Sequence, residues 1–190
     1  RAFFSTKATP LTAGKFNLKA KSCAFTIEMW ALPTSDKDQQ VIFSHGDKDS
    51  EEIIVGLAPT DCGLIWRAGN RTPRSGQVCA SHEVLGRSSS IRKWWHVACV
   101  FTGSTWKLYL NGEEVATEED RSQRRDPIKN SFCTIGPSFS GCILELRVWR
   151  FAREPAHIAR DMHRQLVGNE FGLEALFPLD EGHHRIATDL

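Results

Sequence analysis

Apolar and polar residues alternate along much of the chain at the period of a β-strand. In residues 24–31, Phe25, Ile27 and Met29 occupy one face, and Glu28 stands on the opposite face. Because only one of the two faces is apolar, this segment predicts a half-buried strand. Further segments with strand character are residues 41–44, 53–57, 64–67, 94–102 and 173–179.

A tight hairpin is predicted in the middle of the chain. Residues 106–110 lead into Asn111-Gly112, and the strand-like residues 113–117 follow. Asn-Gly favours a two-residue turn because both turn positions take a positive φ.

A second hairpin is predicted nearer the C-terminus. Its two strands are residues 132–136 and 142–151, joined by a turn at residues 137–141. Regular alternation along the second of these strands places Ile143 and Glu145 on the same face.

One helix is predicted, over residues 154–166. Pro155 suits the first helical turn, and Gly168 is expected to end the helix. Apolar residues recur at four-residue spacing on one face of this helix: Ile158, Met162 and Leu166.

Short strands, tight turns and a single short accessory helix near the C-terminus predict an all-β fold, a two-sheet antiparallel β-sandwich. No repeat, low-complexity tract or linker divides the chain, so residues 1–190 are expected to form one domain. Because the chain begins at Arg1 rather than Met, we expect it to be part of a larger protein.

The balance of charge narrows the range of partners. The chain has 24 Lys and Arg residues against 23 Asp and Glu residues, for a net charge of +1. Proteins that bind nucleic acid or anionic lipid by bulk electrostatics carry a large basic surplus, so neither class is predicted. No apolar run approaches the length of a membrane span, and direct membrane insertion is not expected.

Four segments in order carry a resemblance to a known family: AFTIEMWALP, WWHVACVFTGSTWKLYLNGEEVAT, TIGPSFSGCILELRVWRFAREPAHI and GLEALFPLDEG. Together they resemble a laminin G-like jelly-roll domain of the concanavalin A-like lectin/glucanase superfamily and, more distantly, a pentraxin. The resemblance implies two curved antiparallel sheets of six or seven strands each, with the first and last strands adjacent.

Catalytic motifs of that superfamily are missing from the sequence. Its laminarinase-type glycoside hydrolases present two carboxylates on one strand as Glu-x-Asp-x-x-Glu, and no such run occurs here. The nearest acids are residues 49–52 and the lone Glu145. A Gly-x-Ser-x-Gly nucleophile motif is also absent, so no enzymatic activity is predicted for this segment.

The resemblance implies calcium at a rim of the sandwich, because several relatives bind Ca²⁺ there. Asp47, Asp49 and Glu51 are the candidate ligands in this sequence, since hard cations prefer several oxygen ligands. The second loop of a pentraxin-type double site corresponds to residues 136–141, which contain no carboxylate. A single calcium site and a solvated acidic turn both remain open.

Two further features are candidates for ligand binding. Arg121, Arg124 and Arg125 form a local basic patch that suits sulfate or phosphate groups, although a charged loop is often only solvated. Phe139, next to Ser138 in the predicted turn, is expected to be an exposed contact residue.

Tryptophans offer a platform on which a sugar ring could stack. Trp66 and Trp94 lie near predicted strand ends and join Phe139 as candidates for this role. The other tryptophans have settings typical of a core: Trp30, Trp95, Trp106 and Trp149.

The six cysteines do not decide between an extracellular and an intracellular location. Cys62 and Cys79 lie in irregular stretches and could close a loop by a disulfide. The other four lie in or next to predicted strands, where a free thiol acts as a small apolar residue: Cys23, Cys99, Cys133 and Cys142. Because the family is mainly extracellular, the resemblance favours an extracellular or cell-surface location, with an intracellular multidomain host as the alternative.

The sequence therefore predicts a non-catalytic binding module of a larger protein. Its partner is a protein or a glycan, engaged through rim loops or a sheet face. The alternative is a structural or regulatory domain that docks on other domains of its own host chain.

Overall fold

The computed structural model describes residues 3–5, 11–15, 18, 24–46, 52–61, 63–72, 76–83, 91–120 and 132–180. Short strands make up most of this part of the chain, and one short helix follows the penultimate strand. The strands are β1 Phe3–Ser5, β2 Leu11–Lys15, β3 Phe25–Pro33, β4 Gln40–His45, β5 Glu52–Thr60, β6 Gly63–Thr72, β7 Gly76–Glu83, β8 Trp95–Phe101, β9 Thr105–Leu110, β10 Glu113–Glu119, β11 Phe132–Ile135, β12 Gly141–Trp149 and β13 Leu173–Phe177, and the helix is α1 Pro155–Asp161.

The strands form two antiparallel sheets. Sheet A has seven strands in the order β1-β12-β3-β8-β9-β10, with β13 also paired to β12. Sheet B has six strands in the order β2-β11-β4-β5-β6-β7. Strands β1 and β13 pair with successive parts of β12, at residues 141–143 and 146–149 respectively. The predicted two-sheet antiparallel sandwich is confirmed.

The main core lies between the inner faces of the two sheets. Phe25, Ile27 and Met29 of β3 are buried there, as the alternation predicted. Aromatic rings pack closely in the same core, with the Phe101 and Trp106 centroids 4.6 Å apart. Burial of these large apolar side chains is the main source of stability for a sandwich of this kind.

The outer face of β3 is also buried, so the prediction of a half-buried strand was wrong. Thr26 and Glu28 are both 0% exposed, although they point away from the main core. Residues 150–172, called the cover segment below, lie over this face of sheet A. Within it, Ile158 of α1 packs against Ala98, Val100 and Tyr109 on the outer face of sheet A.

The predicted Asn-Gly hairpin is confirmed between β9 and β10. Asn111 has a φ of 51° and Gly112 a φ of 85°, which is the left-handed conformation that such a turn requires. The Asn111 side chain also accepts a hydrogen bond from the backbone N–H of His96, at 3.0 Å. The turn is thereby attached to the start of β8.

The second predicted hairpin was wrong, because its two strands belong to different sheets. Strand β11 pairs with β2 and β4 in sheet B, whereas β12 pairs with β1, β3 and β13 in sheet A. Residues 136–140 therefore cross from one sheet to the other. A chain segment with turn residues between two strands is compatible with either connection, and only the pairing partners distinguish them.

Alternation along β12 is interrupted, so Ile143 and Glu145 do not share a face as predicted. The register against β3 shifts between Leu144 and Arg147, and Glu145 takes a φ of 51°. Because of this β-bulge, Ile143 and Leu146, which are three residues apart, both point into the main core. Glu145 is thereby turned to the outer face of sheet A.

The helix is shorter than predicted and ends at Asp161 rather than Leu166. Past Met162 the chain turns, and the Arg164 N–H donates to the Asp161 carbonyl over 3.0 Å. Leu166 is still buried, but against Trp149 and Leu176 instead of on a helical face. In the part of the chain that is described, no helix is long and apolar enough to cross a membrane.

Gly56→Ala tests the packing of sheet B. A Cβ at position 56 would lie 2.1 Å from the backbone oxygen of Gln40, which pairs on the adjacent strand. We expect the variant to lose about 1–3 kcal/mol of unfolding free energy, because the strands must separate to make room. Thermal and urea unfolding measure this loss.

Ala58→Gly on the same strand is the control, since it removes a Cβ without adding a clash and is expected to cost at most about 1 kcal/mol. A Gly56→Ala variant that unfolds at the same urea concentration as the wild type would contradict the close approach of β4 to β5.

Candidate functional site

A cleft of about 530 Å³ opens where the cover segment meets the outer face of sheet A. Strands β3 and β12, the residue before β8, the cover segment and the residues around β13 all contribute to it. Its mainly apolar walls include Trp30, Trp94, Leu144, Met162, Leu166 and Leu176. Its polar lining residues are Glu145, His163, Gln165 and Asp180.

Trp30 forms a fixed aromatic wall of the cleft. Its indole N–H donates a 2.9 Å hydrogen bond to the Met162 carbonyl, which attaches the ring to the cover segment. The rings of His96 and His163 both pack against it, each with its centroid 5.3 Å from that of Trp30. The indole is therefore held in one orientation and remains partly exposed to the cleft.

Several polar groups in the cleft are available to a ligand. The Oε2 atom of Glu145 accepts a hydrogen bond from Arg147, and the Glu145 side chain is 33% exposed. Within the described residues, no hydrogen bond engages Glu145 Oε1, the Asp180 carboxylate, the Gln165 amide or the Trp94 indole N–H. These groups supply both acceptors and donors.

A buried network of charges lies beneath the cleft. Oε1 of Glu28 accepts hydrogen bonds from Trp149 Nε1 at 2.9 Å and from Arg153 Nη1 at 3.0 Å. Arg147 lies 3.6 Å from the same oxygen. Burial raises the pKa of the Glu28 carboxyl, and the positive charges of Arg153 and Arg147 oppose that shift.

The two arginines of this network hold the cover segment on the sheet. Arg147 of β12 donates to the carbonyl oxygens of Asp161 at 2.9 Å and of Arg164 at 2.6 Å. Arg153 donates to the Asp161 carboxylate. Hydrogen bonds from Arg160 and Arg153 hold the pKa of Asp161 well below its usual range.

His96 is neutral in the folded protein at neutral pH. It is 1% exposed, and its Nε2 lies 3.8 Å from Oε2 of Glu28. Burial lowers the pKa of His96 to about 3, and the positive charge of Arg147 contributes to the shift. Its ring packs against Trp30, so this histidine supports the aromatic wall.

Phe139 does not have the exposed position that was predicted for it. It is 0% exposed and belongs to the main core, because the turn within residues 136–140 connects the two sheets and its Phe139 side chain is buried between them. Ser138 supports this crossing, since its hydroxyl oxygen accepts a 2.8 Å hydrogen bond from the Val41 N–H. Trp66 is also a core residue, at 1% exposure, so it offers no face to a sugar.

The candidate calcium and anion residues lie outside the described residues. They are Asp47, Asp49, Glu51, Arg121, Arg124 and Arg125. Calcium binding and anion binding by these groups stay predictions. In the described ranges, no group of three or more His, Cys, Asp or Glu residues is placed to hold a metal ion.

Three of the six cysteines are buried in the described part of the chain, Cys99, Cys133 and Cys142, and Cys133 and Cys142 are free thiols. Burial raises the pKa of Cys133 and Cys142, which disfavours their reactive thiolate forms. Each behaves as the small apolar residue that its strand position predicted. Cys23, Cys62 and Cys79 have side chains outside the described part of the chain.

Sequence reasoning identified Trp94 but missed most of the cleft. Trp30 was assigned to the core, although its place beside Glu28 on the polar face of β3 was a signal against that assignment. His163, Gln165 and Asp180 carry no recognisable motif. Their contribution depends on how the cover segment returns across sheet A.

The architecture is that of a jelly-roll β-sandwich with one outer face covered. Residues 5–159 match the family model Laminin G 3, described as the concanavalin A-like lectin/glucanases superfamily. The chain belongs to this superfamily.

One curated relative is similar in sequence. Pappalysin-1 of Mus musculus is 25% identical over 166 residues, which cover 73% of this chain and 10% of that protein. The chain thus spans about a tenth of the length of this relative.

Solved structures with the same fold come from several kinds of protein. A candidate carbohydrate-binding protein from Bacteroides ovatus is 19% identical, with a TM-score of 0.70, and the match covers 99% of this chain and 54% of that one. A heptameric SAP-like pentraxin from Limulus polyphemus is 17% identical, with a TM-score of 0.62 and coverages of 90% and 82%. The CBM40 domain of Ruminococcus gnavus IT-sialidase, bound to α2,6 sialyllactose, is 14% identical, with a TM-score of 0.60 and coverages of 84% and 95%.

The lowered pKa of His96 predicts that the folded protein loses stability in acid. Its pKa falls from an ordinary value of 6.5 to about 3 on folding, so the unfolded chain binds a proton that the folded chain does not. Stability is therefore highest above about pH 6.5 and decreases as the pH falls towards about 3. Urea unfolding at a series of pH values measures this decrease.

The His96→Gln variant is the comparison. It lacks the titrating imidazole, so its unfolding free energy should fall less steeply between about pH 6 and pH 4 than that of the wild type. Parallel pH profiles for the two proteins would rule out a depressed pKa at His96.

Proposed function

We propose that this domain is a non-catalytic carbohydrate-binding module and that the cleft beside Trp30 and Trp94 holds its saccharide. The observation that supports this proposal is the combination of two tryptophans with unengaged polar groups in one opening. Its volume of about 530 Å³ is within the range typical of small-molecule sites.

The two kinds of lining residue match the two kinds of surface on a sugar. The ring face of a pyranose is apolar, and an indole offers a large, rigid surface on which it can stack. Trp30 needs no reordering for such a contact, since its hydrogen bond to Met162 already fixes the ring. A preorganised surface loses less conformational entropy on binding.

Hydroxyl groups at the edge of a sugar require donors and acceptors. The carboxylate oxygens of Glu145 and Asp180 accept from hydroxyls, the Gln165 amide both donates and accepts, and the Trp94 indole N–H donates. Apart from Oε2 of Glu145, which accepts from Arg147, these groups have no hydrogen-bond partner within the described residues, so a ligand would not have to displace an existing bond.

Relationships to known proteins support a binding role. The chain belongs to the concanavalin A-like lectin/glucanases superfamily. The CBM40 domain of Ruminococcus gnavus IT-sialidase, which has the same fold, was solved with sialyllactose bound. The match to a tenth of pappalysin-1 supports a module within a longer protein.

Two carboxyl groups in the cleft do not make the site a hydrolase. Glycoside hydrolysis needs one carboxyl that stays protonated to protonate the leaving group. Oε2 of Glu145 accepts a hydrogen bond from Arg147, and Asp180 is exposed to solvent. Neither side chain has the apolar burial that is typical of a catalytic acid.

Trp94→Ala tests the saccharide site. We expect wild-type protein to bind at least one oligosaccharide on an array of neutral, amino-bearing and acidic glycans. For that oligosaccharide, the variant should bind about tenfold more weakly or worse in calorimetric titration, because a stacking face is lost.

Phe171→Ala is the matched control, since Phe171 is an aromatic residue of the cover segment that is 93% exposed and does not line the cleft. It should bind like the wild type. Binding that survives Trp94→Ala unchanged, or a wild type that binds no glycan on the array, would refute the proposed site.

Mass spectrometry of the bound oligosaccharide after prolonged incubation tests the non-catalytic assignment. We expect the mass of the oligosaccharide to stay unchanged. Shorter products that form with the wild type and are absent with Glu145→Gln would overturn the non-catalytic assignment.

A further inference from the structure

We infer that the cleft selects saccharides by charge, preferring a sugar that carries an ammonium group over a neutral one, and a neutral one over an acidic one. This inference rests on the proposed function, because it assumes that the cleft holds a saccharide. It concerns the electrostatics of the lining residues rather than the existence of the site.

Negative charge dominates the described lining of the cleft. Glu145 and Asp180 contribute carboxylates, and none of the described lining residues is a lysine or an arginine. Oε1 of Glu145 and both oxygens of Asp180 are free of hydrogen bonds within the described residues. An anionic sugar would bring a third negative charge into the same opening.

The guanidinium bonded to Glu145 offsets part of this charge but offers no hydrogen bond to a ligand. Arg147 is 1% exposed, and its two terminal nitrogens already donate to Glu145 and to the carbonyls of Asp161 and Arg164. It therefore orients the Glu145 carboxylate from behind and cannot reach a ligand carboxylate or sulfate.

The aromatic walls favour the same order of ligands. The face of an indole carries negative electrostatic potential and attracts a cation within about 6 Å of the ring centroid. Trp30 and Trp94 both line the opening that contains the two carboxylates. An ammonium group can thus interact with a ring and a carboxylate together.

The other charged or titratable side chains near the cleft are two arginines that interact with carboxylates of the cover segment and one histidine. Arg160 is paired with Asp161, and the charge of Arg164 acts on Glu170. His163 also lines the cleft, so all saccharides are compared at one pH, about 7, to keep its contribution the same in every titration.

Glucose, glucosamine and glucuronic acid form a matched set of probes, because they share one ring and differ in one substituent that sets the charge. Titrations followed by NMR of the labelled protein should show glucosamine binding about three- to tenfold more tightly than glucose, with glucuronic acid weakest. The preference should shrink at about 1 M salt, where exposed charges are screened.

Asp180→Asn and Glu145→Gln identify the source of the selection. Each should lower the ratio of glucosamine affinity to glucose affinity by about twofold or more, whatever its effect on glucose binding itself, because one carboxylate is neutralised. Glu118→Gln removes an exposed carboxylate on β10, away from the cleft lining, and should leave the preference unchanged.

Equal binding of glucosamine and glucose, or failure of glucosamine to bind while another array glycan does, would overturn the charge selection and leave the saccharide site standing. Absence of all saccharide binding would instead refute the proposed function.

Discussion

The buried charge network of Glu28, Arg147, Arg153 and Asp161 is the interaction on which the outer half of the structure depends. Each of these residues is at most 5% exposed, and each guanidinium bridges sheet A and the cover segment. Buried charges are tolerated only when paired and hydrogen-bonded, and removing one partner of such a set typically costs about 3–5 kcal/mol. The cover segment is therefore attached by directional bonds as well as by apolar packing.

The cleft is a consequence of that attachment. Arg147 binds the carbonyls of Asp161 and Arg164, so the chain beyond α1 turns back over the sheet instead of continuing as a helix. The return places His163 against Trp30, and the bulge at Glu145 turns a carboxylate to the same side. One network thus buries the outer face of β3 and forms the walls of the candidate site.

Local patterns predicted the parts of the fold that depend on local physics. Apolar alternation located β3 and β8, and Asn111-Gly112 located a hairpin, because side-chain period and turn conformation are properties of adjacent residues. The order of several motifs indicated the superfamily. The same logic failed at Phe139, where turn-forming residues looked like a surface loop but cross between the sheets.

The sequence by itself determined the all-β class, the two-sheet arrangement, most strand positions and the absence of a hydrolase motif. Tertiary structure decided which strands share a sheet, where the helix ends and which side chains meet in the cleft. Trp30, Glu145, His163 and Asp180 are separated by up to 150 positions in the chain, and no local pattern relates them. Their proximity follows from strand order and from the buried charges that hold the cover segment, both of which are long-range interactions.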